Sequence, residues 1–171
     1  MTYKTLSQIT GTVSGDATRY YLLGMLAISD KKPELAIKDL EQSVALNPYN
    51  ENARLELADL YYEKGQEEKA MDQYKKVTEI DPQNTEAIWS LGVSYEDLGQ
   101  YDLALKIYNY GLSIDPNNID LLDNIGMLNL IKGNYEEAQR IADKLKPLKP
   151  ALAKEIEILI QRMHEKESKQ R

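Results

Sequence analysis

The sequence predicts an all-α repeat solenoid, and three observations carry that prediction. First, Pro48, Pro82, Pro116 and Pro150 follow one another at a constant spacing of 34 residues. Second, the blocks 17–50, 51–84, 85–118 and 119–152 superpose without a gap. Their seventh position reads Leu23, Leu57, Leu91 and Ile125, their eighth Gly24, Ala58, Gly92 and Gly126, and their twentieth Ala36, Ala70, Ala104 and Ala138. Third, Gly65, Gly99 and Gly133 share the fifteenth position, where a chain that takes positive φ can leave one helix and start another. Lys31 holds that place in the first block. A period of this size makes each block one supersecondary unit that buries its apolar face only by stacking on its neighbours.

Residues 1–16 are rich in Thr, Ser and Gly, and Leu6, Ile9 and Val13 are their helix-spaced apolar residues. This stretch reads as a weak helix or an extended arm, with Ser14 or Asp16 as the N-cap of the first repeat helix. Paired helices are then expected at 17–30 and 33–46, 51–64 and 67–80, 85–98 and 101–114, and 119–132 and 135–148. Pro33 falls at a helix start, where its missing N–H costs nothing. Asn47, Asp81 and Asp115 precede ladder prolines, and a residue before Pro is pushed out of the α region, so each pair ends there. Beyond Pro150, residues Leu152, Ile156, Leu159, Ile160 and Met163 are spaced for one face of a closing helix over Ala151 to Met163. The polar run from His164 to Arg171 is expected to fray. The layout is therefore an arm at 1–16, repeats at 17–50, 51–84, 85–118 and 119–152, and a capping helix with a polar tail at 153–171.

This pattern resembles the tetratricopeptide repeat, whose 34-residue helix-turn-helix unit carries small residues at positions 8 and 20, large apolar ones at 4, 7, 11 and 24, and Pro at 32. Position 11 here is Ala27, Tyr61, Tyr95 and Asn129, and position 24 is Leu40, Tyr74, Tyr108 and Ala142, so the fourth repeat is the least regular. The resemblance covers about four fifths of the chain. It implies a right-handed superhelix of four repeats closed by an extra helix, with function on a concave groove lined by the first helix of each pair.

Composition narrows the function. The chain has 171 residues, no cysteine and one histidine, so it offers no disulfide framework, no thiolate metal site and no cysteine nucleophile. No stretch of apolar residues is long enough to span a membrane, and the start lacks the regions of a secretory signal; a cytoplasmic, untargeted protein with no membrane insertion is expected. The formal net charge is −7, unevenly spread: residues 1–137 hold 12 Lys and Arg against 23 Asp and Glu, whereas residues 138–171 hold 9 against 5. An acidic body repels phosphate backbones, so a basic protein segment is the expected partner and nucleic acid is not.

Rotating each first helix by about 100° per residue puts positions 4, 7, 8 and 11 on a packing stripe and positions 2, 5, 6, 9, 12 and 13 on the opposite arc. That arc holds eight carboxylates and no Lys or Arg. It also holds large residues where a merely solvated face would be polar. The expected groove residues are Tyr21, Met25, Leu55, Asp59, Tyr62, Glu63, Trp89, Val93, Glu96, Asp97, Asp123 and Met127. Aromatic and Met anchors within an acidic rim suit an amphipathic, Lys- or Arg-bearing segment. The blander reading of the same residues is packing between neighbouring first helices, with the acids serving solubility. The carboxylate clamp known for the family needs Lys, Asn and Arg where Tyr21, Met25, Glu56, Glu86 and Ser90 stand here, so that mode is not expected.

Catalysis and cofactors are not expected either. Neighbouring acids such as Glu96 and Asp97 lie on an open helix surface, the lone His164 builds neither triad nor metal cluster, and the glycines are single turn residues rather than a phosphate loop. The leading reading is a non-catalytic protein-interaction module acting as adaptor or scaffold. Two alternatives fit the same residues. The run from Gly99 to Gly111 resembles the tetratricopeptide chaperones of type III secretion translocators. Alternatively, the N-terminal arm or the basic C-terminal end joins copies into a homo-oligomeric scaffold.

Overall fold

The computed structural model describes residues 16–170, so the arm with Leu6, Ile9, Val13 and Ser14 lies outside the described residues. Nine helices occur among the described residues, with no strand. They are α1 (Ala17–Ser29), α2 (Pro33–Leu46), α3 (Glu51–Glu63), α4 (Glu67–Ile80), α5 (Thr85–Asp97), α6 (Tyr101–Ile114), α7 (Ile119–Ile131), α8 (Tyr135–Leu145) and α9 (Pro150–Gln170). The fold class is all-α, as expected.

Local chemistry sets the boundaries. Asp16 caps α1 by accepting from the Thr18 N–H at 2.9 Å. Asn50, Asn84 and Asn118 cap α3, α5 and α7 by accepting from the N–H groups of Ala53, Ala87 and Leu121 at 3.1, 2.9 and 3.1 Å. Between the two helices of a pair, residue 15 of each block adopts a left-handed conformation: φ is 56° at Lys31, 69° at Gly65, 68° at Gly99 and 73° at Gly133. The two residues after the C-cap of each pair's first helix return hydrogen bonds to its last turn, as in Lys32 N–H to Ala27 O at 2.8 Å and Gln100 N–H to Tyr95 O at 2.8 Å.

Two elements depart from expectation. α8 stops at Leu145 rather than at 148, because Pro147 has no N–H to continue the helix. α9 begins at Pro150, where proline suits a first helical turn, and continues through the stretch expected to fray.

The chain forms two compact units, Met1–Ala87 and Ile88–Arg171, and the division falls inside α5. In the first, α1 packs on α2, α3 on α4, and α2 on α3, over a core that includes Leu23, Leu40, Leu57, Tyr74 and Val77. In the second, α7 packs on α6 and α8, and α9 covers α8 and α7. Its core contains Tyr108, Leu121, Leu122, Ile125, Leu128, Ile141, Leu145 and Ile156. The eighth-position glycine has a packing reason: a Cβ on Gly92 would overlap the ring of Tyr108, and one on Gly126 would lie 2.7 Å from Ile156 Cδ1. Asn129, the irregular eleventh-position residue, is buried but satisfied, donating to Ile125 O at 2.9 Å.

Candidate protein-binding face

The same helices that carry the packing stripe carry the candidate residues on their other side. In the first unit, α1 presents Tyr21 and Met25, both half-buried. From α3, Asp59, Tyr62 and Glu63 are exposed, Tyr62 at 39%. Leu55 is only 9% exposed and belongs to the packing rather than to an accessible surface. Asp59 accepts a hydrogen bond from the Tyr74 hydroxyl at 2.6 Å, which ties a core ring to the acidic face. Burial, then the charges of Asp59 and Glu86, push the Glu56 carboxyl above its ordinary range. These three acids therefore share one electrostatic neighbourhood. A parallel contact sits elsewhere in the unit, where buried Tyr61 donates to Glu41 at 2.6 Å, and burial with that partner raises the phenol.

In the second unit, Trp89 is 37% exposed at the start of α5. Its indole N–H donates to Asn124 Oδ1 on α7 at 2.9 Å. The Asn124 amide in turn donates to Glu96 Oε2 at 3.3 Å, and that same carboxylate oxygen accepts from the Tyr108 hydroxyl at 3.0 Å. A chain of hydrogen bonds thus runs from the surface indole to a fully buried ring. Val93 and Met127 are half-buried and packed against the core cluster. Asp97 is exposed. Asp123 is half-buried, and burial followed by the charges of Glu155 and Asp120 raises its carboxyl.

The structure therefore brings together Trp89 and Glu96 through Asn124, and Asp123 with Asp120 and the α9 residue Glu155. It sets Leu55 apart by burying it. Sequence reasoning placed Asn124 on the arc without a role and did not place Glu155 at all. It also treated the position-24 tyrosines as packing alone. The composition, with twelve Tyr and no Phe, is consistent with hydroxyls being used at these buried positions. Among the described residues no group of three or more His, Cys, Asp or Glu is arranged to hold a metal ion. No helix among them is long and apolar enough to cross a membrane.

The class that this fold defines is a protein-protein interaction module built from helix-pair repeats. The tetratricopeptide repeat family matches the sequence over residues 27–92 and again over residues 85–118, and the chain belongs to that family. No curated protein matches the sequence. Among solved structures the fold is similar to the crystal structure of MamA, with a TM-score of 0.72, 20% identity, and coverage of 98% of this chain and 89% of that one. It is also similar to YrrB, described as a TPR protein with an unusual peptide-binding site, with a TM-score of 0.74, 20% identity and coverage of 86% and 76%. A tetratricopeptide repeat protein from Parabacteroides merdae ATCC 43184 superposes with a TM-score of 0.80 at 21% identity, over 98% of this chain and 66% of that one.

Proposed function

We propose that the first-helix face of each unit docks a Lys- or Arg-bearing amphipathic protein segment, and that the protein is an adaptor or scaffold without chemistry of its own. The observation that carries this reading is Trp89. A large indole stays 37% exposed while its only donor is already bonded to Asn124, so what it offers a partner is its apolar, electron-rich face. Glu96 adjoins it through Asn124, and Asp120, Asp123 and Glu155 add further negative charge to the same unit. Tyr62, beside Asp59 and Glu63 on α3, is the corresponding anchor of the first unit. That YrrB is described as peptide-binding supports this mode without fixing the ligand. A cytoplasmic setting accords with a chain that has no cysteine.

The test is fluorescence anisotropy with two labelled helical peptides of identical apolar pattern, one bearing Arg and the other Glu at the polar positions. The Arg peptide is expected to bind, to weaken as salt rises, and to lose about 2 kcal/mol of affinity with Trp89→Ala. Circular dichroism checks that the variant is folded. Equal binding of both peptides would remove the electrostatic half of the reading, and binding of neither would remove the whole.

A further inference from the structure

The four repeats act as controls for one another, and helix α6 departs from the other second helices. Positions 19, 23, 26 and 30 of the repeat run down one side of that helix with spacings of four, three and four residues. This is the alternation that lets two helices pack along a seam. In α6 all four are apolar: Leu103, Ile107, Tyr110 and Ile114. The corresponding residues are Leu35, Asp39, Gln42 and Leu46 in the first repeat, and Lys69, Gln73, Lys76 and Ile80 in the second. In the fourth they are Glu137, Ile141, Lys144 and Leu148. The helical fold of the repeat therefore does not require an apolar residue at positions 19 and 26. Yet Leu103 is 44% exposed and Tyr110 is 46% exposed, with Ile107 and Ile114 half-buried between and beyond them. A stripe of this kind in water marks a contact surface.

We propose that this side of α6 is a self-association surface, and that its occupant is α6 of a second copy, packed antiparallel about a two-fold axis near Ile107. Charge selects the occupant. Each copy carries a net charge of −7, so two copies repel over most of their surface. α6 carries only Asp102 and Lys106, which cancel, and Asp102 is already paired with Lys132, the residue just after α7. It is the one second helix of the four repeats with so few charges. The stripe is also self-complementary: the two-fold sets Leu103 of each copy against Tyr110 of the other, which is the matching an isologous interface requires. The surface lies on a second helix and is distinct from the first-helix face.

The test is sedimentation velocity on the full chain from micromolar to near-millimolar concentration. The wild type is expected to move from the 19.5 kDa monomer toward a dimer as concentration rises. The dimer is expected to strengthen with added salt, because screening relieves the repulsion between acidic bodies while the seam is apolar. Leu103→Lys with Tyr110→Lys is expected to raise the dissociation constant about tenfold or more. Repeat 2 already holds Lys69 and Lys76 at those positions, so the variant should melt as a folded chain. In this cysteine-free protein, Ile107→Cys is expected to form an intermolecular disulfide under mild oxidation. A wild type that stays monomeric throughout, or a dimer that the double-Lys variant leaves unchanged, overturns the proposal. So does a dimer that salt dissolves, since that is the signature of an acidic body meeting the basic C-terminal end.

Discussion

Lys31 adopts φ 56° at the position where the other three repeats use Gly65, Gly99 and Gly133. The turn after α1 thus keeps the geometry of the glycine turns, with hydrogen bonds from Lys31 to Ile28 O and from Lys32 to Ala27 O at 2.9 and 2.8 Å. A side chain with a Cβ is strained there, by about 1 kcal/mol. Lys31→Gly is accordingly expected to stabilise the protein by up to about that amount, read as a rise in thermal midpoint, and a fall would mean that the Lys31 side chain makes a stabilising contact. This position was legible in the sequence because a glycine column with one exception names both the conformation and the misfit. The Trp89, Asn124, Glu96 and Tyr108 chain was not legible. It joins residues up to 35 apart through side-chain geometry, and no period or spacing encodes which amide meets which indole.

At the scale of the element, the helix boundaries followed the sequence closely wherever a cap or breaker stood at a fixed place in the repeat. The Asn at position 34 of three blocks closes one repeat and caps the next, which keeps α3, α5 and α7 in register with the proline ladder. Asn118→Ala is expected to cost about 1 kcal/mol, because the Leu121 N–H then loses its partner in a half-buried setting; chemical denaturation of variant and wild type measures it. The miss at the end of α8 has a local cause. The repeat period carried the helix to 148, but Pro147 is an extra proline outside the ladder, and its missing N–H outranks the period. The length of α9 escaped for the opposite reason. Its second half is polar, so amphipathic spacing gave no signal after Met163, yet a polar run with no breaker prolongs a helix already started.

Over the whole molecule, the acidic excess read from the sequence proves to be partly held in place against its own repulsion. Glu56 and Asp123 are both raised, each first by burial and then by neighbouring carboxylates. A carboxyl whose folded-state pKa lies above its unfolded value favours folding fully below the unfolded pKa, and that contribution is lost as pH rises through the folded pKa. The window therefore opens at the ordinary carboxylate range and extends above it. Glu34, Asp143 and Glu157 are shifted the other way by their lysine partners and act in the opposite sense, but all three belong to solvent-accessible pairs whose contributions are small. Because these exposed pairs remain in place, a double variant, Glu56→Gln with Asp123→Asn, isolates one raised carboxyl in each unit. At pH 7 it is expected to be more stable than the wild type, and the difference is expected to shrink as pH falls through the window and the wild-type carboxyls take up protons. Denaturant midpoints at several pH values measure this. A double variant less stable than wild type at pH 7 would mean that the acids are held by attractive contacts. Carboxyls that are destabilising by themselves hold a repulsion that the proposed basic segment would relieve, so the same variant should bind the Arg peptide more weakly while unfolding later. Stability and affinity moving in opposite directions is the result expected of a surface kept acidic for a partner.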